Sequence, residues 1–131
     1  MEKKDLKPAG VFKYFEEICQ VPRPSKKEEK MIAYLKTFGA KHNLETKVDE
    51  AGNVLIKKPA TPGKENLQTV VLQSHIDMVC EKNNDVQHDF LTDPIETEID
   101  GEWLKAKGTT LGADNGIGVA TELAILADDS I

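Results

Sequence analysis

Two prolines near the start of the chain set the first limit on its fold, because they end an amphipathic helix. Residues 8–20 carry apolar side chains at helical spacing, which predicts that one face of this segment is buried. Pro22 and Pro24 exclude continuation of the helix. Ser25 and Glu28 then have the spacing of a capping box, in which both side chains accept hydrogen bonds from free backbone amides. A second helix is therefore expected after this box.

Strand signals follow this second helix, which is expected to end near His42. Segments 46–49 and 53–57 flank an Ala-Gly turn signal. Residues 68–73 contain three consecutive apolar side chains without alternation. Such a run is typical of a strand that is buried on both faces in the middle of an α/β sheet.

The last third of the chain predicts a hairpin, a glycine-rich loop and a helix. Apolar and acidic residues alternate over 95–99, and the Asp-Gly pair at 100–101 supplies the positive φ of a tight hairpin turn. Residues 108–118 (GTTLGADNGIG) form the loop, and an apolar helix is expected over about 115–127. This order of elements predicts an α/β fold, with a mixed sheet flanked by helices. The number of strands is small for such a domain, so we expect the chain to be incomplete.

Composition and charge exclude several classes of function. The formal net charge is −6, and no basic patch interleaved with aromatic residues is present, which disfavours nucleic-acid binding. No apolar run approaches the ~20 residues that span a bilayer. The N-terminal stretch MEKKDLKPAG has no apolar segment of the kind found in secretory signals. We therefore expect a cytoplasmic protein without a membrane partner.

The stretch SHIDMV contains the first candidate functional pair, His75 and Asp77. Residues two apart on a strand point to the same face, so these side chains are expected to project together. A neutral imidazole is a good Zn²⁺ ligand, and a nearby carboxylate fixes its tautomer and orientation. The alternative is an ordinary hydrogen-bonded strand end, and the spacing alone favours that alternative.

Asp114 lies in a second candidate segment, GADNG, where the loop becomes a helix. A carboxylate there faces free amides and the positive end of the helix dipole, which favour its charged form. One carboxylate placed in this way is able to bridge two metal ions ~3.5–4 Å apart. The alternative is that Asp114 only caps the helix.

Three stretches together carry a resemblance to a known enzyme family: SHIDMVCEKNND, HDFLTDPIE and IDGEWLKAKGTTLGADNGIG. They resemble the aminoacyl-histidine dipeptidases, a carnosinase-like branch of the zinc peptidases that use two metal ions. The resemblance implies metal-dependent hydrolysis of dipeptides of the Xaa-His type. It also implies that residues 1–131 are the N-terminal portion of the catalytic domain, without the lid or dimerisation domain and without the rest of the catalytic domain.

The resemblance assigns roles to three residues. His75 would bind one metal, Asp77 would be the catalytic-site residue that orients His75, and Asp114 would bridge both metals. The implied cofactor is Zn²⁺, two ions per complete site, although Co²⁺ and Mn²⁺ share such ligands. The full-length enzyme is expected to be a homodimer that takes a dipeptide substrate.

The chain departs from the family pattern after Asp114. The family has a Glu-Glu pair that supplies a general base and a metal ligand, a later acidic ligand and a histidine near its C-terminus. None of these follows Asp114, and the Glu-Glu pairs at 16–17 and 28–29 precede His75 on predicted helices. The fragment is therefore expected to be inactive. Two alternatives remain open: a related two-metal hydrolase of N-acyl amino acids, and a non-catalytic module that keeps the fold.

Overall fold

The computed structural model describes all 131 residues, which form three helices and four short strands after a 3₁₀ turn at Lys3–Asp5. In chain order the elements are α1 (Ala9–Cys19), α2 (Glu29–Lys41), β1 (Glu45–Val48), β2 (Val54–Lys57), β3 (Thr97–Asp100), β4 (Trp103–Ala106) and α3 (Ala113–Ala127). The predicted α/β class is confirmed. None of the three helices combines the length and the apolar surface that a membrane crossing requires.

The core is built around the packing of α1 against α3. Phe15 and Ile18 of α1 and Val119 and Leu123 of α3 are at most 3% exposed. Gly116 allows the close approach of the two helices, because a Cβ atom there would lie 3.2 Å from Phe15 Cε2. Burial of each large apolar side chain contributes about 1.5–3 kcal/mol to stability. The other buried apolar residues are Tyr14, Cys19, Met31, Leu35, Phe38, Met78, Ile95 and Ala120.

The second helix begins later than the sequence predicts, and the predicted capping box is wrong. α2 starts at Glu29, and its N-cap makes no side-chain hydrogen bond to the helix. Lys26 has a φ of +67°, which takes the backbone out of a helical path between Ser25 and Glu28. The Ser25 hydroxyl donates instead to the carboxylate of Asp77. The serine therefore belongs to the candidate site rather than to the helix end.

The four strands form two separate antiparallel hairpins, as the turn signals predict. In the first hairpin β1 and β2 pair from Glu45 opposite Lys57 to Val48 opposite Val54. In the second, β3 and β4 are joined by a tight turn in which Gly101 has a φ of +61°. The strands thus form two small antiparallel sheets beside the helices, and not the single mixed sheet that the sequence predicts.

The prediction of a buried strand over 68–73 is wrong. The segment has no strand partner and makes no backbone–backbone hydrogen bond. Val70, Val71 and Leu72 are 78%, 79% and 52% exposed. A strand forms only where another backbone segment lies alongside to take its hydrogen bonds, and the four strands of this chain pair only with each other. An apolar run therefore does not by itself produce a strand here.

The different environments of Leu123 and Val71 lead to a stability prediction. Leu123→Ala is expected to lower the free energy of unfolding by about 2–5 kcal/mol, because it leaves a cavity between α1 and α3. Val71→Ala is expected to change it by less than about 0.5 kcal/mol, because the side chain is already exposed. Urea unfolding followed by far-UV circular dichroism measures both values. An equal cost for the two variants would contradict the exposed position of the 68–73 segment.

Candidate functional site

The segment that carries His75 is held at both ends although it belongs to no sheet. At one end the Ser74 hydroxyl donates to Glu122 Oε2 of α3, at 2.8 Å. At the other end Met78 is buried, and its backbone amide donates to the carbonyl of Arg23 at 3.0 Å. Met78 also forms an isolated parallel bridge with Pro24. These contacts fix the segment beside α3, where His75 reaches Asp114.

His75 and Asp77 project to the same side, as the spacing of two residues predicts. His75 Nδ1 lies 3.0 Å from Asp77 Oδ1 and 3.1 Å from the Asp77 carbonyl oxygen. The other carboxylate oxygen of Asp77 accepts the hydrogen bond from Ser25. This serine bond, followed by the bond from His75, holds the pKa of Asp77 below its usual value. Asp77 is therefore an ionised acceptor that fixes the orientation of the imidazole.

Asp114 meets the other nitrogen of the same imidazole. Its Oδ1 atom lies 3.2 Å from His75 Nε2, and its side chain is 98% exposed. Asp114 and Asn115 have non-helical φ and ψ angles within the first turn of α3, and the peptide bond between them is cis. The N-cap residue is Gly112, and the side chain that accepts a hydrogen bond from a free amide at this end is that of Asn115, whose Oδ1 atom lies 3.0 Å from the Gly118 amide nitrogen. Capping of α3 is therefore not the role of the Asp114 carboxylate.

Two carboxylates, one on each ring nitrogen, raise the pKa of His75. The hydrogen bond to Asp114 is the largest cause, and the bonds to Asp77 act in the same direction. While the ring is protonated, it donates to both carboxylates. Once it loses the proton on Nε2, the ring still donates from Nδ1 to Asp77 and presents a lone pair toward Asp114. That second state is the one in which a histidine ligates a metal.

The donor chemistry of this pair suits a divalent transition metal but does not complete a site. An imidazole nitrogen and a carboxylate oxygen are both zinc ligands, and Asp77 fixes the tautomer that leaves Nε2 free. A catalytic zinc usually takes three protein ligands. No group of three or more His, Cys, Asp or Glu side chains with metal-binding geometry occurs in the chain. The metal roles of His75 and Asp114 stay a prediction.

Cys80 and His88 make no hydrogen bond to His75, Asp77 or Asp114. Burial raises the pKa of the Cys80 thiol, which disfavours a nucleophilic thiolate there. The ring of His88 packs against Phe90 with centroids 4.4 Å apart. Two surface cavities of about 430 Å³ and 300 Å³ lie elsewhere, and neither is lined by His75, Asp77 or Asp114. The side chains of His75 and Asp114 are 51% and 98% exposed, so both lie at the surface of the chain.

Sequence reasoning missed two residues that contact the site. Ser25 was expected to cap α2, and its contact with Asp77 depends on a chain path that the local pattern does not encode. The only feature of Arg23 in the sequence is its position between Pro22 and Pro24, which does not indicate a buried side chain. Its guanidinium is buried and donates to backbone carbonyls of both site segments.

Comparison with known proteins confirms the resemblance that the motifs indicate. No family model matches the sequence. The chain is 51% identical over 130 residues to the cytosol non-specific dipeptidase of Escherichia coli (strain K12). The aligned region covers 99% of this chain and 27% of that protein. Its structure matches the aminoacylhistidine dipeptidase of Vibrio alginolyticus with a TM-score of 0.95 and 54% identity, over 100% of this chain and 27% of the other.

A more distant similarity supports the fold alone. A tripeptidase from Staphylococcus aureus matches 89% of this chain and 31% of its own length with a TM-score of 0.71 at 21% identity. The chain spans 27% of the length of the dipeptidases from Escherichia coli and Vibrio alginolyticus.

The position of His75 between two carboxylates leads to a titration prediction. Asp114→Asn is expected to lower the pKa of His75, because the hydrogen bond to the Asp114 carboxylate is the largest cause of its rise. Titration of the His75 ring protons by nuclear magnetic resonance in the metal-free chain measures the change. Asp85→Asn, which alters an exposed loop carboxylate, is the matched control. An equal effect of the two variants would place Asp114 away from the ring.

Proposed function

We propose that this chain supplies part of a two-zinc site and that the complete protein hydrolyses dipeptides, including those that end in histidine. One observation carries the proposal: Asp77 holds the Nδ1 side of His75, and Asp114 stands 3.2 Å from its Nε2 atom. Once Nε2 has lost its proton, the imidazole lone pair faces the Asp114 carboxylate across this distance, so both groups would be available as ligands. Similarity to two dipeptidases supports the reaction class.

The chain's own residues have distinct tasks in this proposal. Asp77 accepts a hydrogen bond from the Nδ1–H group of His75 and thereby keeps the Nε2 lone pair available. Asp114 offers two oxygen atoms, of which Oδ1 lies 3.2 Å from His75 Nε2, and its carboxylate would be a ligand shared by the two ions. Bound zinc would supply Lewis acidity that polarises the scissile carbonyl and activates water. Co²⁺ or Mn²⁺ could take the same ligands.

The general base and the remaining ligands are not provided by this chain in the proposal. The first Glu-Glu pair is engaged elsewhere: Glu16 forms an ion pair with Lys3 at 3.2 Å, and Glu17 accepts a hydrogen bond from Tyr34 at 2.7 Å. Two protein donors are fewer than a catalytic zinc requires. We infer that residues 1–131 alone do not hydrolyse peptides and that the complete, cytoplasmic enzyme acts as a homodimer.

The substrate range is the finer part of the proposal. One relative is named as a non-specific dipeptidase and another as an aminoacylhistidine dipeptidase. Both names describe dipeptide hydrolysis, so dipeptides are the proposed substrate class, and Xaa-His dipeptides are its specific case. Comparing β-alanyl-histidine with an acetylated amino acid as substrates of the complete protein tests the class. Preference for the acetylated amino acid would refute the dipeptidase proposal.

The roles of the two aspartates lead to a prediction for the complete protein. Asp77→Asn is expected to lower activity or metal affinity about 10–100-fold, because it weakens the support of a ligating histidine. Asp114→Ala is expected to lower activity and zinc affinity more than Asp77→Asn does, because it removes a proposed ligand. Hydrolysis of β-alanyl-histidine and zinc affinity by chelator competition measure both effects. Asp85→Ala is the control, and wild-type activity in Asp114→Ala would contradict the assignment.

The two-donor site also predicts how the isolated 131-residue chain binds zinc. We expect weak binding, because His75 and Asp114 cannot close a coordination sphere. Binding should weaken further as the pH falls through the raised pKa of His75, because the proton and the metal compete for Nε2. Isothermal titration calorimetry at two pH values measures this. Tight, stoichiometric binding of two ions would show that ligands have been overlooked.

A further inference from the structure

Arg23 is a buried cation without an anionic partner. It is 2% exposed, and it takes part in no salt bridge. It is also the only arginine among the 17 lysines and arginines of the chain. A buried charge is costly unless hydrogen bonds satisfy it, so the partners of this guanidinium indicate why it is there.

Those partners are backbone carbonyls from both halves of the candidate site. Nη1 donates to the carbonyl oxygens of Ile76 at 3.4 Å and Asp77 at 3.3 Å, both in the segment that carries His75. Nη2 donates to the carbonyl oxygen of Gly112 at 2.9 Å, two residues before Asp114. One planar fork therefore links two segments that are far apart in sequence.

The neighbours of Arg23 in the chain contact the same segment. The Arg23 carbonyl accepts a hydrogen bond from the Met78 amide at 3.0 Å, and the Ser25 hydroxyl donates to the Asp77 carboxylate. Residues 23–25 thus contact the backbone on both sides of Asp77 as well as its side chain.

The glycines of the GADNG loop leave room for the guanidinium. A Cβ atom at Gly112 would lie 2.7 Å from Arg23 Nη2, and one at Gly116 would lie 2.8 Å from the same atom. Gly112 also has a φ of +73°, which side chains other than glycine rarely adopt. Glycine is therefore needed at both positions, because any side chain there would collide with the guanidinium of Arg23.

We propose that Arg23 is a positioning residue that sets the spacing of His75 and Asp114 by joining the backbones of their two segments. The proposal rests on the proposed metal site and adds a residue that touches neither metal nor substrate. Lysine cannot take this place equally well, because its single ammonium lacks the rigid fork that reaches both segments. Loss of the fork should loosen the pair without altering either ligand.

The test compares Arg23→Met, Arg23→Lys and Leu35→Ala. Leu35 is buried on α2 and contacts none of the site residues through hydrogen bonds, so its variant controls for general destabilisation. In the metal-free 131-residue chain, the readout is the nuclear Overhauser contact between the His75 ring and the Asp114 side chain. In the complete protein, the readout is zinc affinity by chelator competition.

Arg23→Met is expected to lose the Overhauser contact and to weaken zinc binding about 10–100-fold, as is typical for residues that orient metal ligands. Leu35→Ala is expected to keep both. A folded Arg23→Met chain with the wild-type contact and wild-type zinc affinity would overturn the proposal.

Two further outcomes are decided by the same design. If Arg23→Met does not fold, Arg23→Lys decides: a folded variant with weakened zinc binding supports the proposal, and wild-type binding overturns it. If the wild-type complete protein binds no zinc, the proposed function fails. The Overhauser contact in the metal-free chain then still tests the role of Arg23.

Discussion

The packing of α1 against α3 is the contact on which the rest of the structure depends. Phe15 and Ile18 meet α3 where Gly116 offers no side chain, so the two helices approach closely. This contact has a direct consequence for the site. The end of α1 leads into the segment with Arg23 and Ser25, while the start of α3 carries Asp114. Burial of apolar surface thereby brings polar groups together that no local interaction would join.

The Nε2 atom of His75 is the position that either a proton or the proposed metal would occupy, beside the Asp114 carboxylate. His75 lies between two carboxylates, which raises the pKa of the ring and favours a cation at that position. A divalent ion at Nε2 would be attracted by the same negative charge, so the proton and the ion would compete for that nitrogen. Ser25 holds Asp77, and Asp77 accepts the hydrogen bond from Nδ1 of His75, whether Nε2 carries a proton or would bind a metal.

Local patterns predicted most of the regular structure. The two amphipathic helices, the α3 helix and both hairpins follow from spacing, prolines and turn residues, which act within a few positions. The strand at 68–73 and the capping box at Ser25 were wrong for one common reason. Each requires a partner at a particular place: a neighbouring strand in the first case and a helical backbone in the second. The local sequence indicates which structure a segment favours. It does not indicate which other part of the chain will lie beside that segment.

The sequence by itself determined the chemistry available at the site. It placed His75 and Asp77 two residues apart on an extended segment, and it put Asp114 at a loop-to-helix junction between glycines. The tertiary structure decided the 3.2 Å approach of Asp114 to His75 across 39 positions, and it decided that a buried arginine joins their segments. The physical reason is the distance along the chain over which each kind of interaction acts. Spacing and turn chemistry act along the chain, whereas the distance between remote side chains depends on how the helices pack and on which buried polar groups must be satisfied.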